Sequence, residues 1–267
     1  MPLMKGAAAP GFNREPDYAW QDYDWNTKEP GLIPFFAELD AEGKLGKFIA
    51  DFGAGDRPVS TLIAPRSGRK IFTLDSDPSS PRARRNIANH FVLDVVGLTG
   101  NNTREAQRVM LEIFSACGKK IRPGTKIEGF LDSVIVSDLL NWLPDYQDVL
   151  RNIVPFIRPG GYLLIANQPG RGITTFGDWM FKTEPSRNGG PATNSELVHF
   201  LQSIGMRVES VREMGSHMRI DPSDIQKKHD RDWLVFVVQR PKSHLVSPAV
   251  FQRLRQSMVS LLARNVR

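Results

Sequence analysis

Between Lys47 and Arg240, short apolar runs alternate with stretches of helical character, and this alternation leaves few folds open. The runs cover 48–52, 70–74, 90–93, 133–136 and 162–166. They are short and rich in Val, Ile, Leu and Phe, as strands covered on both faces should be. Helices are expected between them at 59–64, 81–88, 103–116 and 146–156, and in the third Val109, Met110, Ile113 and Phe114 share one face. Pro159-Gly160-Gly161 reads as the close of the last of these helices, because proline cannot extend it and glycine accepts a left-handed turn. An amphipathic segment at 194–204 and strands near 207–212 and 233–239 complete an α/β chain with a mostly parallel seven-stranded sheet.

The run Phe48-Ile49-Ala50-Asp51-Phe52-Gly53-Ala54-Gly55-Asp56-Arg57-Pro58 reads as the first strand feeding a glycine turn. Without Cβ atoms at Gly53 and Gly55 the chain can bend sharply and bring backbone N–H groups against a ligand. Ligands of open parallel sheets bind beyond the carboxyl ends of the strands, where strand order reverses. The second strand ends in Asp75, about twenty residues past the glycines, the spacing of a ribose-binding carboxylate. The third ends in Asp94-Val95, suited to the edge and face of a base, and the fourth in Ser137-Asp138-Leu139-Leu140-Asn141-Trp142. A dinucleotide needs a third glycine where Pro58 stands, and Asp56 would set a negative charge beside its pyrophosphate. A cationic nucleoside without phosphate suits Asp51, Asp56, Asp75 and Asp94 better.

These residues, with Ile157-Arg158-Pro159-Gly160-Gly161-Tyr162-Leu163-Leu164-Ile165, resemble the class I S-adenosylmethionine-dependent methyltransferases over roughly Lys47 to Arg240. Arg57 stands where that family commonly has a third glycine. The resemblance implies a Rossmann-like, doubly wound fold with helices on both faces of the sheet, and S-adenosylmethionine as cofactor, leaving as S-adenosylhomocysteine. It further implies that Gly53 and Gly55 pass the methionine part, that Asp51 and Ser137 meet its ammonium, that Asp75 holds the ribose, and that Asp94 and Val95 bind the adenine.

Residues 1–43 form an N-terminal arm whose Trp20, Tyr23, Trp25, Phe35 and Phe36 need burial that the arm cannot supply itself. It serves as a lid on a planar substrate or as a strap on the core. A methyltransferase domain is expected over 44–240 with an insert at 168–193, and a C-terminal amphipathic helix over 241–267. The arm and the insert, with Phe176 and Trp179, reach the mouth of the sheet and favour a small-molecule substrate, bound by Trp20, Trp25, Asp138, Phe176 and Trp179. No general base stands out among His199, His217, His229, Asp178 and Glu184. The acceptor atom is oxygen or nitrogen. The alternatives are an RNA methyltransferase using Arg82, Arg84, Arg85 and the basic tail, and a binding module without turnover.

Of 267 residues, 40% are hydrophobic and 24% charged, which fits an ordinary globular protein. The net charge of +6 permits nucleic acid without requiring it. One cysteine, Cys117, excludes an internal disulfide framework, and no Cys/His cluster has metal-ligand spacing. A cytoplasmic monomer or homodimer, beginning at Met1 without secretion signal or membrane span, is the expectation.

Overall fold

The computed structural model describes residues 32–55, 58–76, 89–98, 103–122, 124, 126–167, 190–214, 218–230 and 232–242. Helix α1 covers 32–41 and leads to strand β1 (Phe48–Phe52). β2 (Lys70–Asp75), β3 (His90–Val92), α2 (Thr103–Ala116), β4 (Leu131–Ser137), α3 (Tyr146–Ile153) and β5 (Ile157–Asn167) follow. The chain closes with α4 (Asn194–Ser203), β6 (Arg207–Glu213), β7 (Arg219–Ile220) and β8 (Leu234–Gln239).

The strands form one sheet in the order β3-β2-β1-β4-β5-β8-β6-β7. β1 to β5 run parallel, and β8 lies antiparallel to both β5 and β6. Strand order therefore reverses between β1 and β4, which opens a crevice at their carboxyl ends. The sheet has eight strands rather than seven. The addition is β7, two residues long and paired only to the end of β6, too short to leave a pattern in the sequence.

Apolar side chains cover both faces. On one, Val109, Met110 and Ile113 of α2, Val149, Leu150 and Ile153 of α3, and Leu197 and Leu201 of α4 pack on Phe52, Phe72, Val134, Val136, Leu163 and Phe236. On the other, Leu32, Phe35, Phe36 and Leu39 of α1 cover Ile49, Ile135, Leu164 and Val237. Phe35 and Phe36 are thus part of the core, and Glu38 ties α1 to the antiparallel edge. It accepts from Arg212 (2.8 Å) and Arg219 (2.8 Å), and these hydrogen bonds hold its carboxyl down to about 2.

Two expected helices are shorter than their patterns. Residues 59–64 form only a 3-10 turn, Val59–Leu62, because Pro58 enters it in extended geometry and Ile63 leaves it so. α3 starts at an Asp145 cap, whose carboxylate accepts from Asp148 N–H, and gives way at Pro155 to a 3-10 turn, Val154–Phe156. Pro159-Gly160-Gly161 does not close a helix. It lies inside β5, where pairing with β4 slips between Leu131 and Ser133 and Gly160 takes φ +80°. A side chain at Gly161 would meet Asp132 O at 2.6 Å, so glycine lets the two strands approach there. The helix expected over 81–88 lies outside the described residues.

Candidate active site at the carboxyl ends of the strands

β1 delivers Asp51 and the glycine turn to the crevice. Gly53 and Ala54 N–H both donate to Leu74 C=O (2.8 and 3.1 Å), so the turn folds over the end of β2. Gly53 has φ +69°, and a Cβ there would stand 2.7 Å from Leu139 Cδ1. Gly55, at φ +58°, has no heavy atom within 4 Å of that position, so the turn faces open space. Asp75 latches it: Gly55 N–H donates to Asp75 Oδ2 at 2.8 Å. The twenty-residue spacing read from the sequence therefore corresponds to direct contact.

Asp51 is enclosed, and Ser60 N–H donates to its Oδ2 at 3.1 Å. Burial pushes its carboxyl from 3.8 up to about 6; hydrogen bonding from Ser60 opposes the shift and the charge of Asp75 adds to it. A buried carboxylate with so little compensation is the acceptor a cation would complete.

The remaining expected positions lie along the same edge. Asp94 is exposed; its Oδ1 accepts from Val96 N–H at 3.0 Å, which caps the 3-10 turn Val95–Leu98. Val95 is buried in the α2-side core. Ser137 ends β4, and Asp138, with φ 53°, is the one positive-φ non-glycine among the described residues. Its N–H donates to Ala166 C=O at 2.9 Å. Trp20, Trp25, Asp56, Arg57, Arg82, Arg84, Arg85, Phe176, Asp178, Trp179, Glu184, His217 and residues 243–267 lie outside the described residues.

His199 is exposed on α4 and lines, with Gln147, Arg151 and Asp230, a surface groove of about 590 Å3. His229 Nδ1 pairs with Asp232 Oδ2 at 2.8 Å. Two contacts not read from the sequence help build the edge: Leu139, within the run that ends the fourth strand, overlies Gly53, and Gly190 has a Cβ position 2.9 Å from Asn141 Cα. Nothing in a single sequence marks contacts of this kind. Among the described residues, no group of three metal-ligating side chains occurs and no helix is long and apolar enough to cross a membrane.

No protein-family model matches the chain. Trichosetin synthetase PKS-NRPS1 of Gibberella fujikuroi is 23% identical over 189 residues, 57% of this chain and 5% of that protein, so the chain spans a small fraction of that relative's length. Among solved structures, the plantazolicin methyltransferase BpumL in complex with S-adenosylhomocysteine superposes with a TM-score of 0.52 at 12% identity, over 85% of this chain and 91% of that one. The 1,6-didemethyltoxoflavin-N1-methyltransferase of Burkholderia thailandensis gives 0.47 at 18% identity over 83% of each chain. The [4+2]-cyclase SpnF gives 0.49 at 14% identity, over 79% and 80%. With BpumL as its counterpart, the chain has the Rossmann-like fold of class I methyltransferases, and the resemblance read from the sequence is met at the level of fold.

Proposed function

We propose that this chain is an S-adenosylmethionine-dependent methyltransferase that transfers a methyl group to an oxygen or nitrogen of a small molecule by in-line displacement. The observation that carries this reading is the Gly53–Gly55 turn, latched by Asp75 and facing open space at the point where strand order reverses. BpumL, named for one compound, plantazolicin, supports a defined compound as acceptor.

The residues present fit the cofactor. Asp51, buried and short of partners, takes the ammonium with Ser137; the positive charge favours the ionised carboxylate, so a proton that Asp51 carries below about pH 6 leaves as the cofactor binds. Gly53 and Gly55 leave room beside the turn for the methionine part. Asp75 holds the ribose, and Asp94 with Val95 takes the adenine. When bound, S-adenosylmethionine supplies a methyl on a sulfonium, a group that transfers readily once aligned. The protein's share is alignment and exclusion of water by the chain around Asp138 and by the expected substrate residues Trp20, Trp25, Phe176 and Trp179.

Calorimetry with S-adenosylhomocysteine tests the reading. The wild type is expected to bind and Asp75→Ala to bind roughly ten- to a hundredfold more weakly, the range of one hydrogen bond to a charged group. Absence of binding by the wild type would sink it.

A further inference from the structure

Asn167 ends β5, one strand beyond the positions assigned to the cofactor. It is fully enclosed, and neither its Oδ1 nor its Nδ2 has a hydrogen-bond partner. Buried amides nearly always have partners, because an amide taken out of water without replacement bonds is unfavourable. A leucine of similar size would fill the same volume with nothing left unpaired.

Its place explains what the amide could meet. Ala166 is the register partner of Ser137 and its C=O accepts from Asp138 N–H, so Asn167 lies level with Asp138 on the neighbouring strand. Leu163 and Ile165 face the α2–α4 side while Leu164 and Ala166 face α1, and alternation puts Asn167 with the first pair. Leu234 of β8 is its register partner on the other flank. Gly190 sits against Leu140 and Asn141, where a Cβ would meet Leu140 O at 2.9 Å. The amide thus stands at the carboxyl edge next to the crevice, where a methyl acceptor would approach a cofactor held by β1, β2 and β4.

We propose that Asn167 reads the methyl acceptor, pairing its carboxamide with an acceptor edge that sets a hydrogen-bond donor beside a hydrogen-bond acceptor, as a lactam does. This inference rests on the methyltransferase reading. A carboxamide offers one acceptor and two donors side by side, so a lactam edge satisfies both unpaired atoms at once. A site built on such a pair rejects analogues that lack it, because the enclosed amide is then left unpaired again.

The test uses the full chain as wild type, Asn167→Leu and Asn167→Asp. Asn167→Leu should melt a few degrees higher without ligand and keep its affinity for S-adenosylhomocysteine within twofold. With S-adenosylhomocysteine present, wild type should bind 2-pyridone at least tenfold more tightly than 2-methoxypyridine, which lacks the donor, by ligand-observed NMR. Asn167→Leu should lose that discrimination, whereas Asn167→Asp should keep part of it, because its carboxyl oxygens still accept from the 2-pyridone N–H. Equal binding of the two probes by the wild type overturns the inference, as does discrimination retained in Asn167→Leu. A tenfold loss of S-adenosylhomocysteine affinity in Asn167→Leu would reassign the residue to the cofactor and overturn it too. If the wild type does not bind S-adenosylhomocysteine, the methyltransferase reading fails first.

Discussion

The two ends of the central sheet solve different problems. At the amino end, polar groups are closed off. Asp132 Oδ2 accepts from Lys47 and Phe48 N–H (2.8 and 2.9 Å), and its Oδ1 meets Arg158. Ser133 Oγ donates to Leu45 C=O at 2.8 Å. Arg240 lies buried, its Nη1 donating to the carbonyls of Val154, Pro155 and Ile157. At the carboxyl end, Asp51 is buried with little compensation, Asp138 is the one non-glycine at positive φ among the described residues, and Asn167 has no partner. Stability is gathered at one end, and strain and unmet polarity are held at the other, where a ligand can relieve them.

The largest effect that would sharpen this contrast lies at the amino end. Arg240→Ala would leave three carbonyls at the end of α3 and the start of β5 without their donor, a loss on the order of 4 kcal/mol. Denaturant unfolding should register it, while S-adenosylhomocysteine affinity in the folded fraction stays unchanged. A variant of unaltered stability that no longer binds would break the contrast.

The next lies at the carboxyl end and has the opposite sign. Below pH 3.8 Asp51 is protonated folded or unfolded, and nothing is lost. Between 3.8 and about 6 the unfolded chain releases the proton and the folded chain keeps it, so stability falls as pH rises and is lowest above about 6. The ceiling on this loss is about 3 kcal/mol, and Asp51→Asn should recover part of it at pH 7 while weakening S-adenosylhomocysteine binding. Wild-type binding should in turn release protons near pH 5 and strengthen as pH rises through 6. A variant no more stable than wild type at pH 7 would show that the carboxylate is compensated in the ligand-free protein.

Gly53→Ala is smaller again. Its φ of +69° and the 2.7 Å approach to Leu139 together cost on the order of 2 kcal/mol. Thermal melting checks this, and Gly55→Ala separates the two terms, because Gly55 shares the positive φ but has no neighbour within 4 Å. The Gly55 variant should therefore lose less stability and more ligand affinity.

Much of this was legible in the chain. The bounds of β1 and α2 coincide with the sequence pattern, since each is a continuous apolar or amphipathic run with its own ends. The Asp75 spacing pointed to the glycine turn because that distance is set by one parallel crossover. Other features depend on tertiary contact. Pro159-Gly160-Gly161 carries helix-ending chemistry, yet it is a strand bulge, because Gly161 answers to the backbone of β4. Nor could the pattern show that Asn167 ends without a partner: an Asn after an apolar run looks like any strand terminus until its neighbours are placed.

Asp138 sets the finest test. At φ 53° an aspartate costs up to about 1 kcal/mol relative to glycine, and its short polar side chain makes it one of the residues that tolerate the region. Asp138→Gly would relieve that strain and also loosen the unfolded chain, an entropic change of about 0.4–1 kcal/mol in the other direction. Stability should therefore move by about half a kcal/mol or less. If the conformation is held for the carboxylate, binding of S-adenosylhomocysteine or of the acceptor falls while the melting curve hardly shifts. If it only lets the chain turn from β4 over Gly53, both stay put, because glycine makes that turn more easily than aspartate.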